Sequence, residues 1–202
     1  VWADPYITGV NRTETDIDRY GARLAWEVGG IELSYEAQWE DVDNDVIGNR
    51  LSDLKRDGLV HQVGLEYEIE LGRGLEIVPG LSYTLADMDG KSTEYKGFSG
   101  GVQVRKTWPA FQFVLSAALG VNDHEKTHPV FNQTREDDMF ETMAVVSWLK
   151  PLGYEQFSLS FGAGYEKVDS NINFYDQSQV ITFITLGYRF GTGGGHGPDD
   201  DD

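Results

Sequence analysis

Tyr20 to Glu40 reads YGARLAWEVGGIELSYEAQWE, and its rhythm decides the fold. Tyr20, Ala22, Leu24, Trp26 and Val28 fall on every second position, with Arg23 and Glu27 between them. After Gly29-Gly30 the same period resumes at Ile31, Leu33, Tyr35, Ala37 and Trp39, interleaved by Glu32, Ser34, Glu36, Gln38 and Glu40. Side chains of a strand alternate between two faces, so period two predicts two half-apolar strands joined by a tight glycine turn.

The pattern recurs at Val63 to Leu71, Leu75 to Leu85, Phe98 to Trp108, Phe111 to Val121, Phe140 to Lys150, Phe157 to Tyr165 and Val180 to Phe190. A weaker segment, Val1 to Val10, brings the count to ten, with Pro5 tolerable near a strand start. Connections alternate in length. Gly29-Gly30, Gly72-Arg73-Gly74, Pro109-Ala110 and Pro151-Leu152 are tight turns, while polar loops are predicted around 11–18, 42–57, 87–95, 122–138 and 168–178. Residues joined across a hairpin share a face, and Val28 with Ile31, Trp108 with Phe111, and Leu71 with Leu75 all belong to the apolar series. The expectation is an antiparallel up-and-down β-barrel of about ten strands over residues 1–190, with a bulge at Pro79 and a flexible Gly/Asp-rich tail over 191–202.

Composition agrees. The chain has 24 Gly, 10 Tyr, 10 Phe and 5 Trp against 6 Pro, a mixture that favours strands and turns. Cysteine is absent, which removes disulfide frameworks and thiolate metal sites. Thirty-four acidic residues against 16 basic ones give a net charge of −18, which disfavours nucleic acid as a partner.

Such a barrel either buries its apolar face, as soluble ligand-binding barrels do, or turns it to lipid. The second face discriminates. It carries glutamates at 27, 32, 36, 40, 66, 68, 70, 76, 141 and 166, arginines at 23, 105 and 189, and many small residues, among them Gly97, Ser99, Gly101, Ser116, Gly120, Ser160, Gly162 and Gly164. Small residues suit a crowded interior better than a soluble exterior. The apolar face places Trp26, Trp108, Phe111, Trp148 and Phe157 near the short turns, the position of an interfacial aromatic belt. The transmembrane orientation is therefore expected, in a bacterial outer membrane. Arg23, Glu27, Glu36, Glu66, Glu68, Arg105 and Arg189 then form a charge network in an acidic lumen. Ile181 and Phe183, on the lumen face, imply a partly packed interior.

The closing segment VITFITLGYRF resembles the C-terminal β-signal of outer-membrane barrels, with Ile184, Leu186, Tyr188 and Phe190 at the matching positions. The resemblance implies recognition by the barrel-assembly machinery; in this chain Gly191 to Asp202 follow the motif. HPVFNQTREDD (128–138), SNINFYD (170–176) and LSYTLADMDGKS (81–92) are similar to the barrels attached to surface-lipoprotein assembly modifiers, which implies a barrel for export or surface display. That family's periplasmic helical repeats are not present in this sequence.

DVDNDVIGNR, Asp41 to Arg50, echoes a calcium loop but places Val46 where the sharp turn needs glycine, so a solvated acidic loop is expected and no metal or cofactor is assigned. His61, His124 and His128 are the candidates for proton transfer, the latter two beside Asp123, Glu125, Asp137 and Asp138, with no nucleophile motif. His196 in the tail reads as flexible. The functional expectation is a non-enzymatic barrel, porin-like and cation-preferring if open, or serving export or structure. Its expected partners are outer-membrane lipid, lipopolysaccharide and further chains of a membrane complex. A barrel hydrolase using the loop histidines and a soluble ligand-binding barrel are the alternatives.

Overall fold

Each alternating segment pairs with the next along the chain. The computed structural model describes the backbone of residues 2–12, 15–43 and 51–188, with side chains over 18–42 and 51–188. Its strands are β1 (Trp2–Arg12), β2 (Thr15–Val28), β3 (Ile31–Asp43), β4 (Gly58–Tyr67), β5 (Ile69–Gly72), β6 (Leu75–Met88), β7 (Tyr95–Thr107), β8 (Phe111–Thr127), β9 (Thr134–Leu149), β10 (Phe157–Ser170) and β11 (Gln177–Tyr188). All ladders are antiparallel, in the order β1-β2-β3-β4-β6-β7-β8-β9-β10-β11, and β5 continues the path of β4 along β6. This is the all-β, up-and-down architecture of a ten-strand barrel. Among the described residues no ladder joins β11 to β1.

The opening hairpin has the expected register, Val28 opposite Ile31 and Leu24 opposite Tyr35. Gly29 and Gly30 take φ of +60° and +81°, the paired positive values that a two-residue hairpin turn requires and that L side chains resist.

Three details depart from expectation. The predicted bulge at Pro79 is absent: the ladder stops at Glu66 opposite Gly80 and resumes at Ile69 opposite Ile77, three residues on along each strand, so none is inserted. The missing proline donor coincides with a gap in this ladder, and on the β3 side of the same segment the Glu68 N–H donates to the Gly30 carbonyl at 2.7 Å. The bulge lies at the turn, where Gly72 rather than Leu71 faces Leu75. The polar loops are also shorter than predicted. β1 and β2 run to Arg12 opposite Thr15, β8 continues to Thr127 and β9 begins at Thr134, because backbone pairing persists after the outer face turns polar.

The outer face is apolar over a limited band. Leu24 and Trp26 are 50% and 55% exposed, and Leu33, Leu65, Leu81, Phe98, Leu119 and Phe161 are likewise outward. Above the band, the same face carries Asp18, Asp41, Asp87, Lys96, Asp123, Asp138 and Lys167, all exposed. Registers align this charged rim, with Asp18 opposite Asp41, Lys96 opposite Asp123 and Asp138 opposite Asp169. From Tyr20 to Val28, or Phe111 to Val121, the band spans about 26–33 Å along the strand at roughly 3.3 Å per residue. With strands tilted by about 35–45° its height is about 20–25 Å.

The inner face surrounds a cavity of about 440 Å3, to which Arg23 of β2 and Glu166 of β10 both contribute. The sheet therefore curls until strands near opposite ends share one interior. Buried apolar side chains are few among the described residues, and Val42, Leu54 and Met88 gather beneath the loop end instead of forming a central core.

Candidate functional site

Inward positions of the strands build the central cavity. Ser34, Glu36, Gln62, Gly64, Glu66, Ser82, Ser99, Ser116, Glu141 and Glu166 line it together with Arg23. Serine pairs bridge neighbouring strands, Ser82 with Ser99 at 2.7 Å and Ser147 with Ser160 at 2.8 Å. On β10 the interior is filled: Phe183 lies over Gly162, its register partner, where any Cβ would collide with the ring. The expectation of a partly packed lumen at Phe183 holds.

The expected lumen charges divide into separate groups. Arg23 donates to Glu32 at 2.6 Å, and Arg105 donates to Glu76 at 2.7 Å nearer the short turns. Glu36 and Glu66 line the central cavity with Arg23, whereas Glu27, Glu68 and Arg105 do not contribute to its wall. Arg189 and Phe190 lie outside the described residues, as do 44–50 of the acidic loop and the tail with His196. Ile184, Leu186 and Tyr188 stand on the outer face of β11 at 70%, 67% and 43% exposure. The aromatic residues near the short turns sit together on the outer face. Trp26, Trp108 and Phe111 are exposed, Phe111 stacks with Trp148 at 6.2 Å, and Phe157 meets Tyr188 edge-on at 4.9 Å.

A second cluster closes the long-loop end; sequence reasoning placed His124, His128 and Asp137 in one loop but did not join Tyr175 to them. Asp137, 4% exposed, accepts from Arg135 Nε at 2.9 Å, with Arg135 Nη2 at 2.7 Å and His124 Nε2 at 3.7 Å. Burial alone would raise its pKa, but bonds from His124, Arg135 and Ser170, with the Arg135 charge, hold the carboxyl at about 2. The guanidinium of Arg135 stacks on the Tyr175 ring at 3.8 Å, and the Tyr175 hydroxyl meets His128 Nε2 at 2.7 Å. His128 Nδ1 accepts from the Val130 N–H at 3.2 Å. Burial, followed by the charges of Arg135 and His124, pushes His128 downward, consistent with a neutral imidazole whose Nε2–H donates. Burial pushes Tyr175 upward, so its hydroxyl keeps its proton.

His61, His124 and His128 have separate sets of partners. His124 presents Nδ1 to the Ser92 carbonyl at 3.2 Å and Nε2 to Asp137, while the Ser92 hydroxyl donates to the Thr127 carbonyl at 3.1 Å. His61 is on the outer face, bonded to the Tyr35 hydroxyl at 2.7 Å. No group of three or more His, Asp or Glu side chains able to hold a metal occurs among the described residues.

HPVFNQTREDD and SNINFYD, far apart in sequence, are in contact here. Besides His128–Tyr175 and Arg135–Tyr175, Phe131 meets Phe174 at 5.6 Å and the Asn171 side chain bonds both the Glu136 N–H and the Thr134 carbonyl. No other signal in the sequence pairs them.

Fold and site together define a class: a ten-strand, up-and-down β protein with an apolar exterior, an acidic polar interior and a tightly bonded loop end. The chain belongs to the family described as "Protein of unknown function (DUF2860)", whose profile matches residues 1–189. Comparison with curated proteins gives no match.

Proposed function

We propose that this chain spans a bacterial outer membrane as a β-barrel and acts without covalent chemistry, as a porin-like barrel whose interior favours cations. The observation that carries this reading is the outer band. Apolar side chains are exposed on every strand from β2 to β11 at a height of about 20–25 Å, close to the roughly 25 Å band of outer-membrane barrels. In water such a surface exceeds the few hundred Å2 of contiguous apolar patch that a soluble monomer tolerates. The polar inner face supports the same orientation. Glu36, Glu66, Glu141 and Glu166 face one cavity with Arg23, an excess of negative charge that attracts cations and repels anions.

In this reading Ile184, Leu186 and Tyr188 present the strand that the assembly machinery recognises, and the charged rim meets lipopolysaccharide. A second reading, a barrel for surface export, draws on the resemblance of 128–138 and 170–176 to surface-lipoprotein assembly modifiers and on the contact between those stretches.

Reconstitution tests the proposal. The purified chain should remain folded only in detergent or lipid and should migrate differently on electrophoresis before and after boiling. In a planar bilayer under a KCl gradient, the reversal potential should have the sign of cation selectivity. A folded, monodisperse chain in detergent-free buffer would defeat the membrane assignment; anion selectivity would defeat the role given to the glutamates.

A further inference from the structure

Three cavities follow one another along the inner face. The central one shares Gln62, Ser82, Ser99, Ala118 and Glu141 with a neighbour of about 230 Å3. That neighbour shares Tyr95 and Asn122 with a third, of about 480 Å3, at the loop end. We propose that Tyr95, at this junction, sets the narrow point through which a solute passes from the loop-end cavity toward the central one. The assignment rests on the porin-like reading and names the residue that limits the size of what passes.

Register places Tyr95 on the inner face as the bulkiest member of its row. It is opposite Ala86, which is opposite Val60, and Val60 faces Gln38, itself opposite Gly21. The small partners leave space in front of the ring. Arg19 of β2, Glu40 of β3 and Asp137 of β9 line the loop-end cavity together with Tyr95 of β7, so Tyr95 shares that space with side chains from distant strands. Burial, and then the charge of Glu40, pushes the Tyr95 pKa upward, so the hydroxyl keeps its proton and the junction carries an uncharged ring.

Asn122, the other shared residue, is folded back onto the wall. Its register partner Gly97 has no Cβ and so leaves room for the Asn122 Oδ1, while Asn122 Nδ2 donates to Met139 Sδ at 3.4 Å. Met139 lies in turn over Gly120, where a Cβ would come within 2.9 Å of its methyl group. Tyr95 has no such anchor. Its ring packs on His124 at 5.5 Å, and its hydroxyl makes no hydrogen bond among the described residues. Turning the ring therefore gives up one aromatic contact and no hydrogen bond. Phe183, in register with Gly162 nearer the short turns, acts in series with it.

Planar-bilayer recording of the full chain tests the assignment, with electrophoresis before and after boiling to show that each variant is folded. Tyr95→Ala should raise single-channel conductance by about twofold, and the permeability of tetraethylammonium relative to potassium by about threefold, because the narrow point widens. Tyr95→Phe should match the wild type on both measures, since the ring and not the hydroxyl is the obstacle. The chain has no cysteine, so Tyr95→Cys takes a thiol label at one position. It should behave as Tyr95→Ala does, and it carries the comparison if Tyr95→Ala fails to fold. Benzyl methanethiosulfonate, which attaches a new ring, should return both values toward wild type. The same reagent on Lys96→Cys, at a position that pairs with Glu125 on the outer face, should change neither. Wild-type values in Tyr95→Ala and Tyr95→Cys, beside a conducting wild type, would overturn the role of Tyr95 and leave the porin-like reading standing. No conductance from the wild type or any variant would overturn both. A silent wild type beside a conducting Tyr95→Ala would support the assignment.

Discussion

Placing an arginine on the outer face at mid-band separates lipid from water as the solvent of that face. Leu115 on β8 is 43% exposed and lies between its register partners Val104 and Ala144. The apolar run on its strand extends from Phe111 to Val121, with charged Asp123 beyond. At roughly 3.3 Å per residue Leu115 is about 13 Å along the strand from the lower limit and about 20 Å from the upper. A strand tilt of about 40° reduces these to about 10 and 15 Å of depth. An arginine reaches roughly 6 Å, so it snorkels clear of neither boundary. In lipid, Leu115→Arg should therefore destabilise the fold by about 2–4 kcal/mol, a loss of about 30- to 900-fold in the folding constant. On a water-washed surface the same change would stay within about 0.5 kcal/mol. Urea unfolding in phospholipid vesicles, followed by tryptophan fluorescence, gives the number. Gln62→Arg is the internal comparison, since that side chain lines the central cavity with Glu36 and Glu66 and should shift stability by less than about 1 kcal/mol. A wild-type midpoint for Leu115→Arg, or equal losses in the two variants, would refute the orientation.

Glu36→Gln with Glu66→Gln should shift the bilayer reversal potential toward zero and leave folding intact, because the cavity loses charge but not shape. Phe183→Ala should raise single-channel conductance by clearing the ring from above Gly162; unchanged conductance would place the constriction elsewhere. Asp137 links the loop end to pH. Its folded pKa of about 2 is below the unfolded value of 3.8, so its contribution of about 2 kcal/mol is complete above pH 4 and is lost as pH falls toward 2. Urea midpoints measured between pH 5 and 2 should fall more steeply for the wild-type chain than for Asp137→Asn, and parallel curves would contradict the assigned bonds.

The sheet was legible wherever its two faces differ in solvent. From Tyr20 to Val28 and from Ile31 to Trp39, an apolar series alternates with a mixed, largely polar one, and the register follows from the Gly29-Gly30 turn. Where both faces are polar the signal disappears, which is why Asn122–Thr127 and Thr134–Asp138 read as loop although the backbone pairs through much of both. Pro79 misled for a related reason. Sequence shows a lost donor but not whether a ladder answers with an inserted residue or with a gap. The loop-end cluster was illegible as a unit, because Arg19, His124, Arg135 and Tyr175 belong to four segments joined only by topology. The resemblance of 128–138 and 170–176 to other barrels singled out the right stretches without showing that they touch.

The arginines at the mouth of this acidic protein are ion-paired, Arg19 with Glu40 and Arg135 with Asp137. Along β9 the step from Asp137 at the loop end to Glu141 in the central cavity is four residues, about 13 Å of strand. The Debye length at physiological salt is about 8 Å, so in a hydrated interior the two layers act on a solute one after the other and do not cancel. In the upper layer Glu40 and Asp137 are taken by Arg19, Gln38, Arg135 and His124; in the lower layer Arg23 faces four glutamates. The pairs within the upper layer largely offset one another, so under the proposed reading the preference for small cations is set by the glutamates of the lower layer.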